Sequence, residues 1–374
     1  MAEKESGGLR GVVAGRSELS SVDGEAGRLT YRGIDIGDLA AETNFEEVAY
    51  LLWEDELPTR TQLNDLLEQI NEARTLPAAV LDTLAALPEG TIPMDALRTA
   101  VSMLGSFDPD QGDDSLEASR RKAVRLLAQT PNVVAQVGRM LDGRDPVNPP
   151  NGSIASSFLQ TFFDETPSAE AVHALDVLLV LQADHEFNAS TFAARSIAST
   201  LTDMHSAITG AIGSLRGPLH GGANQAVMEM LLTVESEDQA EAWVLERLGR
   251  RELIMGFGHA VYKTADPRAT VLREMARDLA HSSGHPEWFN VSQVIESVML
   301  REKNLNSNVD FYAATVYASL GIPPQLFTPI FTASRMSGWT AHVLEQQANN
   351  RIIRPRAEYV GHIDRKLIPI HQRG

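Results

Sequence analysis

The sequence predicts an all-α protein of two domains that begins with a short β-hairpin. From Phe45 onward, almost every segment places apolar residues at three- and four-residue spacing, which is the period of an amphipathic helix. Strand-like patterns are nearly confined to residues 11–36. Four Gly- or Pro-rich breaks interrupt the helical pattern along the chain.

The predicted hairpin opens the chain. The run GVVAG, which begins at residue 11, is followed by Asp23-Gly24, and RLTYRG follows that turn. Asp-Gly between β-prone segments is a common signal for a tight hairpin turn, because both residues tolerate positive φ. We therefore expect one small antiparallel hairpin ahead of the helices.

The four breaks also predict where two domains meet. They are residues 149–152, 216–222, 256–259 and 321–324. A chain of 374 residues is long enough for about two domains. We expect residues 222–321 to form a smaller helical domain, inserted into a larger one made of residues 1–221 and 322–374.

Composition excludes several kinds of chemistry and partner. The chain has no cysteine, so disulfides, thiolate nucleophiles and Cys-ligated metals are excluded. The formal charge of −18, from 32 basic and 50 acidic residues, argues against nucleic acid and anionic membranes as partners. No apolar run reaches the roughly 18 residues that span a bilayer. The N-terminus MAEKESGGLRG lacks the pattern of a signal or transit peptide, so we expect a soluble, cytoplasmic protein.

Two histidines stand between glycines at predicted helix boundaries. His220 lies in GPLHGGAN and His259 lies in GFGHAVYK. Glycine lets a ligand approach the backbone closely, and a following helix offers free N–H groups. An interhelical turn with a hydrogen-bonded histidine is the simpler alternative, but flanking glycines are hard to explain by packing alone, which favours a functional role.

The segment Asp184-His185-Glu186 follows a long apolar run. Ionisable residues in such a place need partners or access to a cleft. The simpler interpretation is a solvated helix end, with Asn188 or Ser190 capping the next helix. Taken alone, the segment favours that interpretation.

A further segment predicts an anion site. Asp266 and Pro267 are typical of the N-cap and first residue of a helix, which places Arg268 in the first turn. A cation there opposes the helix dipole unless an anion is bound, which favours a carboxylate or phosphate ligand. A surface arginine paired with an acidic neighbour is the alternative.

The C-terminal third adds further polar candidates. Asp310, in NVDFY, would be an ordinary N-cap in most proteins. Arg335 interrupts an apolar helix and needs a partner if it is buried. Arg351, Arg354 and Arg356 form either a functional cluster or a solvated run of charge. Clustered arginines in an acidic chain indicate a small polycarboxylate substrate, because the guanidinium fork matches carboxylate geometry. No P-loop, HExxH or dinucleotide-binding motif is present, so we expect acid–base chemistry with no metal and no cofactor.

Five segments occur in the order and approximate spacing of the citrate synthase family, which the chain resembles over nearly its whole length. They are DHEFNAST, GPLHGGAN, GFGHAVYKTADPRA, NVDFY and FTASRMSGWTAH. YRGIDIGDLA near the start and RIIRPRAEYVG near the end resemble the family's shorter bacterial and archaeal members. The resemblance implies a two-domain helical fold and the condensation of an acyl-CoA with oxaloacetate.

The matching positions imply three catalytic roles. His220 would donate a hydrogen bond to the carbonyl oxygen of acetyl-CoA as it becomes an enol, and Asp310 would remove the methyl proton. His259 would polarise the carbonyl of oxaloacetate. A thioester methyl is a very weak acid, so the base needs a positioned donor on the developing oxygen.

The resemblance also implies binding residues and a partner. Substrate contacts are implied for His185, Arg268, Arg335, Arg354 and Phe331, and CoA contacts for Lys263 and Lys303. Arg354 reaches the site of the partner subunit in family dimers, which implies a homodimer. The large domain would then form the dimer, and the small domain would bind acyl-CoA and close the cleft.

Three alternatives stay open. A 2-methylcitrate synthase would use propionyl-CoA and share every one of these residues, since one methylene is worth only about 1–3 kcal/mol of discrimination. An inactive helical scaffold of the same fold has no reason to retain an acid, a base and their arginines. A helical acidic protein that binds cationic partners explains the charge but not the Gly-flanked histidines.

Overall fold

The computed structural model describes residues 12–259, 261–282, 284 and 286–373. These residues form sixteen α-helices and one three-stranded sheet, which confirms the predicted all-α class. The helices are α1 (Ile36–Glu42), α2 (Phe45–Glu54), α3 (Arg60–Ala73), α4 (Ala78–Ala85), α5 (Pro93–Leu104), α6 (Leu116–Leu141), α7 (Ile154–Phe163), α8 (Ala169–Gln182), α9 (Ala189–Ala198), α10 (Met204–Leu215), α11 (Ala223–Leu231), α12 (Glu237–Gly249), α13 (Pro267–Ser282), α14 (Pro286–Lys303), α15 (Val309–Ser319) and α16 (Phe327–Ala348). Among them, no helix combines the length and hydropathy that a membrane crossing requires.

The sheet confirms the predicted hairpin and adds a strand. Its strands are β1 (Ser20–Asp23), β2 (Arg28–Tyr31) and β3 (Ile34–Asp35). β1 and β2 are antiparallel, with Asp23 opposite Arg28, and β3 pairs with the other edge of β2. The turn therefore lies where Asp23-Gly24 predicts it.

The prediction that GVVAG supplies the first strand is wrong for its described part. Val12 and Val13 are 58% and 88% exposed and have no regular secondary structure. Gly11 lies outside the described residues. The strand that pairs with β2 across the turn is instead β1, at Ser20–Asp23, which directly precedes Gly24.

Local sequence explains where several helices begin. Asn44 caps α2 in a reciprocal pair with Glu47, each side chain bonded to the other residue's backbone N–H. Asn188 caps α9 by accepting the backbone N–H of Thr191 at 3.1 Å. Such caps satisfy N–H groups that the helix itself leaves unpaired.

Helix α16 lies at the centre of the protein. Nearly every residue from Phe327 to Val343 is buried, and α2, α6, α8, α9 and α10 pack around it. α8 is buried along Ala174–Gln182. A helix that is largely apolar on all sides is stable when other helices enclose it. This arrangement places Arg335, on α16, inside the protein.

Helices α11–α15 pack mainly on one another. α13 and α11 contact α15, and α12 contacts α14. They lie within residues 222–321, the segment that the sequence predicts as the smaller domain, although the division into two domains stays a prediction. α13 and α15 also contact α8, which brings residues of both segments together.

Candidate active site

The loop between α8 and α9 carries Asp184 and His185. Asp184 is fully buried, and its Oδ2 accepts a hydrogen bond from Ser20 Oγ at 2.5 Å. The Asp184 backbone N–H and carbonyl are bonded to Tyr31 Oη at 3.2 and 3.0 Å. Glu186 has a φ of +50°, which is uncommon for a residue other than glycine. A solvated helix end is thus the wrong interpretation for Asp184, because residues of the N-terminal sheet cover it.

His185 is buried among aromatic side chains. Its Nε2 lies 3.3 Å from Tyr262 Oη, and its ring meets that of His259 edge-on, with 5.3 Å between centroids. Burial, followed by the charge of Arg268, holds the pKa of His185 well below its usual value. The ring is therefore neutral at pH 7, with one donor and one acceptor nitrogen.

His220 lies in the turn between α10 and α11 and reaches the first turn of α9. The backbone N–H of Ser190 donates to His220 Nε2 at 3.2 Å, and Ser190 Oγ lies 2.7 Å from the same nitrogen. Because an amide N–H only donates, Nε2 accepts and the proton of the neutral ring is on Nδ1. Burial lowers the pKa of His220 to about 4, so the ring is neutral at pH 7. A Cβ on Gly221 would lie 2.2 Å from the carbonyl oxygen of Leu215, so this turn requires glycine.

His259 lies in the second Gly-bounded loop and is held through its other nitrogen. The backbone N–H groups of Val261 and Tyr262 donate to His259 Nδ1 at 3.0 and 3.1 Å. Burial lowers the pKa of His259, and the proton of the neutral ring is on Nε2. Gly256 in this loop has a φ of +85°, and a Cβ there would lie 2.9 Å from Phe311 Cβ.

Asp310 is half-buried in the first turn of α15. The interpretation as an ordinary N-cap is wrong, because Asn308 caps this helix and accepts the backbone N–H of Asp310 at 3.1 Å. The carboxylate of Asp310 has neither a hydrogen bond nor an ion pair with any described residue. Burial raises its pKa to about 6. Such a carboxylate can act as a base near neutral pH.

The structure confirms the helix start predicted ahead of Arg268, and this arginine forms an ion pair. α13 begins at Pro267, and Arg268 donates from Nε and Nη2 to the two oxygens of Asp266 at 3.0 and 2.8 Å. The two side chains are 3% and 1% exposed. Arg268 therefore has the acidic partner that the alternative predicts, but the pair is buried and not on the surface.

Arg335 is a buried cation with one backbone partner. Its Nε donates to the carbonyl oxygen of Gln182 at 2.8 Å, and its guanidinium lies 4.7 Å from the ring centroid of Phe331. Burial lowers its pKa to about 10. In the described ranges no carboxylate forms an ion pair with it. An unpaired buried cation is costly, which favours a bound anion at this position.

The candidate residues gather around these two arginines. The positive charge of Arg268, of Arg335 or of both acts on four site groups and favours the neutral forms of His185, His220 and His259 and the ionised form of Asp310. Within the part of the chain that the structure describes, no three His, Asp or Glu side chains are arranged to hold a metal ion. The arrangement can bind a carboxylate substrate and exchange protons with it.

Three predicted residues lie on exposed surface instead. Arg354 and Lys303 are exposed, and Lys303 ends α14. The side chain of Lys263 is 71% exposed and forms an ion pair with Glu25 at the turn between β1 and β2. Their proposed contacts with substrate and CoA stay predictions.

A buried network that sequence interpretation missed supports the His185 loop. His342 Nε2 lies 3.2 Å from Asp184 Oδ1, and Arg195 Nη1 lies 3.0 Å from His342 Nδ1. Arg195 also pairs with Glu345. Because arginine only donates, His342 accepts at Nδ1 and donates from Nε2 to Asp184. Asp184 and His342 lie in two of the quoted segments and Arg195 and Glu345 in none, and no local pattern joins them, because residues far apart in sequence meet only through tertiary packing.

Three neutral histidines, an unpaired carboxylate and two buried arginines thus form the candidate site of this all-α fold. Residues 8–356 match the family model for the citrate synthase C-terminal domain. Over 368 residues the chain is 48% identical to citrate synthase 2 of Bacillus subtilis, covering 98% of each chain. It is 47% identical over 368 residues to 2-methylcitrate synthase of Shewanella oneidensis, covering 98% of this chain and 97% of the relative.

A solved structure agrees with the sequence relatives. The citrate synthase of Thermoplasma acidophilum, in a ternary complex with carboxymethyl coenzyme A and oxaloacetate, matches with a TM-score of 0.93 at 31% identity and 98% coverage of both chains. The chain belongs to the citrate synthase family.

Proposed function

We propose that this enzyme condenses acetyl-CoA with oxaloacetate and water to give citrate and CoA. One observation carries the proposal: the neutral His220 and the unpaired carboxylate of Asp310 both lie in the field of the buried Arg335. A donor and a base at one anion-binding centre suit the removal of a proton next to a carbonyl. The complex of the Thermoplasma relative with carboxymethyl coenzyme A and oxaloacetate supports these substrates.

The first step forms the enolate. Asp310 takes a proton from the methyl group of the thioester, and the C–H electrons form the carbon–carbon double bond. Its pKa of about 6 makes it a stronger base than an exposed aspartate, yet it is largely ionised at pH 7. His220 donates a hydrogen bond from Nδ1 to the developing oxygen, and its pKa of about 4 keeps it neutral.

The second step joins the two substrates. The enolate carbon attacks the ketone carbon of oxaloacetate, and the electrons of the C=O bond pass to the ketone oxygen. His259 donates a proton from Nε2 to this oxygen, which becomes a hydroxyl group, and the proton that Asp310 took from the methyl group is released to solvent, from which the His259 ring is reprotonated. Water then cleaves the thioester, adding OH to the acyl carbon and H to the CoA sulfur. Holding both reactants in one cleft supplies much of the rate.

Buried side chains would hold the oxaloacetate carboxylates. Arg335 lacks an ion-pair partner among the described residues, and Arg268 uses Nε and Nη2 for Asp266, which leaves Nη1 for the substrate. The neutral ring of His185 would donate one more hydrogen bond. Phe331, against the guanidinium of Arg335, would border the bound substrate.

Exposed cations would bind the phosphates of CoA. Lys303 is exposed at the end of α14, and Lys263 is exposed beside the loop of His259. Lys263 would exchange its partner Glu25 for a phosphate group when CoA binds. Surface ion pairs of this kind contribute little, so the exchange is inexpensive.

A second copy of the chain would complete the site. Arg354 is exposed and lies in a C-terminal segment whose apolar side chains are also uncovered. Those that are 59% to 89% exposed are Ile352, Tyr359, Val360, Ile363, Leu367 and Ile370. Such a series is typical of a surface that another protein covers. We propose a homodimer in which this segment packs on the partner subunit and Arg354 reaches the partner's substrate.

A 2-methylcitrate synthase is the second candidate. The Shewanella relative of that name is 47% identical to this chain, against 48% for the Bacillus citrate synthase. Propionyl-CoA differs from acetyl-CoA by one methylene, which a pocket can distinguish by about 1–3 kcal/mol. The two acyl-CoAs must therefore be compared directly.

The test is oxaloacetate-dependent release of free thiol from acetyl-CoA and propionyl-CoA. The chain contains no cysteine, so every thiol that a thiol reagent detects comes from CoA. We expect oxaloacetate-dependent release that Asp310→Ala lowers about 10³-fold or more. The ratio of the two rates names the preferred acyl group.

Asp278→Ala is the matched control. Asp278 is exposed on α13 and pairs with Arg277, so its removal should leave the rate unchanged. No release from either acyl-CoA by the wild type would refute the catalytic proposal and favour an inactive scaffold.

A further inference from the structure

Asp266 is a buried carboxylate that the proposed mechanism uses only as the partner of Arg268. Its Oδ1 accepts from the Nε and the backbone N–H of Arg268 at 3.0 and 3.1 Å. Its Oδ2 accepts from Arg268 Nη2 at 2.8 Å and from the backbone N–H of Val309 at 3.2 Å. Val309 begins α15 and directly precedes Asp310. One carboxylate therefore joins a buried arginine to the helix that carries the base.

We propose that Asp266 is a positioning residue for the condensation, which fixes Arg268 for the substrate, orients the first turn of α15 and adjusts Asp310 as a base through its charge. This inference rests on the proposed function. It assigns Asp266 a role in catalysis through two other residues, without contact with the substrate.

The first argument is geometric. The N–H groups of a first helical turn have no partner within the helix. At the start of α15, Asp266 accepts a hydrogen bond from the backbone N–H of Val309. Asn308 accepts one from the backbone N–H of Asp310. Asn308 Nδ2 also donates to the carbonyl oxygen of Gly258 at 3.0 Å, in the loop of the second catalytic histidine. The helix end that carries the base is thus held by the loops that carry the other site residues.

The second argument is electrostatic. Four groups face Asp310 from α13, α15, α16 and the loop before α13: Arg268 and Arg335 favour its ionised form, Asp266 opposes it, and Tyr317 is a neutral phenol. Without the charge of Asp266, the positive charge of Arg268 would be unbalanced. Asp310 would then lose its proton at a lower pH and would be a weaker base.

Asp266→Asn tests both arguments, because it keeps the size of the side chain and removes the charge. An amide has one acceptor oxygen, so it can bind Arg268 or Val309 well, but not both. We expect kcat to fall about 10- to 100-fold. We expect the acid limb of kcat/KM for acetyl-CoA to move about 0.5 to 1 pH unit lower.

Asp266→Glu is the second variant, because it keeps the charge and displaces the carboxylate by one methylene. We expect its acid limb to stay near that of the wild type while kcat falls. Melting temperatures of all three proteins accompany the profiles. An acid limb that does not move in Asp266→Asn, or a lower melting temperature with unchanged kcat in both variants, overturns the inference and leaves Asp266 a structural role only.

The wild type in the same assay separates this inference from the proposed function. An active wild type with an unmoved acid limb in the variant refutes only the role of Asp266. If the wild type releases no thiol, the proposed function fails, and calorimetric titration with oxaloacetate tests Asp266 instead. Weaker binding by Asp266→Asn then supports its effect on Arg268, and equal affinity overturns it.

Discussion

The two Gly-bounded histidine loops are similar in sequence and opposite in hydrogen bonding. His220 accepts a backbone N–H at Nε2, whereas His259 accepts two at Nδ1. Both rings are neutral at pH 7, because burial lowers both pKa values. Each ring therefore presents a different nitrogen as its donor. The tautomer, and with it the bond that each histidine can offer, is set by the backbone around the ring.

The two loops also fix their histidines over different distances. The donor to His220 is Ser190, in the first turn of α9 and 30 residues earlier in the chain. The donors to His259 are Val261 and Tyr262, which follow it directly. The tautomer of His220 thus depends on how α9 packs against a distant turn, whereas that of His259 is set within its own loop.

The largest expected effect comes from replacing the two histidines, and it tests whether they act in different steps of the reaction. His220→Ala and His259→Ala should each lower thiol release about 10²- to 10⁴-fold. With an oxaloacetate analogue that lacks the ketone, the wild type should exchange the methyl protons of acetyl-CoA with deuterated water. His259→Ala should retain this exchange, because the proposed role of His259 is at the ketone, and His220→Ala should lose it. Equal exchange in the two variants would show that their roles are not divided.

A smaller effect tests whether the tautomer of His220 depends on Ser190, which lies 30 residues earlier in the chain. Ser190→Ala removes the hydroxyl that lies 2.7 Å from His220 Nε2 but keeps the backbone N–H. It also leaves Trp339 Nε1, which donates to Ser190 Oγ at 3.2 Å, without that acceptor. We expect kcat to fall about 5- to 30-fold, in line with the loss of one buried hydrogen bond worth about 1–2 kcal/mol.

The control for Ser190→Ala is Ser292→Ala. Ser292 is a fully buried serine on α14, whose hydroxyl donates to the carbonyl oxygen of Trp288. Its removal should affect the melting temperature more than kcat.

Nitrogen NMR on the wild type should show His220 protonated at Nδ1 and His259 at Nε2. Protonation at Nε2 of His220 would contradict the assigned roles.

Much of the fold could be predicted because its signals are local. The helical period, the turn at Asp23-Gly24 and the helix start at Pro267 each depend on a few neighbouring residues. Asn188 as an N-cap was also accessible, because capping joins residues three apart. The prediction from the hydropathy of GVVAG is wrong, because a short apolar run does not specify strand pairing, and Ser20–Asp23 pairs with β2 instead.

The site could be predicted in part, because some of its residues lie in distinctive local segments and others do not. Residues in distinctive segments, such as His220 and Asp310, could be named because the segments resemble a known family. Partners joined only by tertiary packing could not: Asp266 meets Val309 43 residues away, and Arg195 meets His342 147 residues away. No local pattern specifies these contacts, although a buried charge always requires some partner.

The smallest expected effect concerns stability and compares the neutral histidines with a buried acid. Asp176 lies beside Glu46, and burial raises its pKa to about 8. An acid with a raised pKa makes the folded state bind more protons, so this stabilisation is full below about pH 4 and is lost as pH rises toward 8. His220, with its pKa lowered to about 4, acts in the opposite sense and destabilises the fold as pH falls below about 6.5.

Asp176→Asn should therefore reduce the alkaline loss of stability, of which burial of Glu46 supplies a further part, and leave the acid loss unchanged. The amide oxygen can still accept the backbone N–H of Phe45, which Asp176 Oδ1 accepts at 3.2 Å. We expect the melting temperature of the variant, relative to the wild type, to be a few degrees higher at pH 9 than at pH 5. Asp278→Asn, at an exposed position, should show no such difference. If Asp176→Asn also removes the loss of stability at acid pH, that loss does not come from protonation of the two neutral histidines.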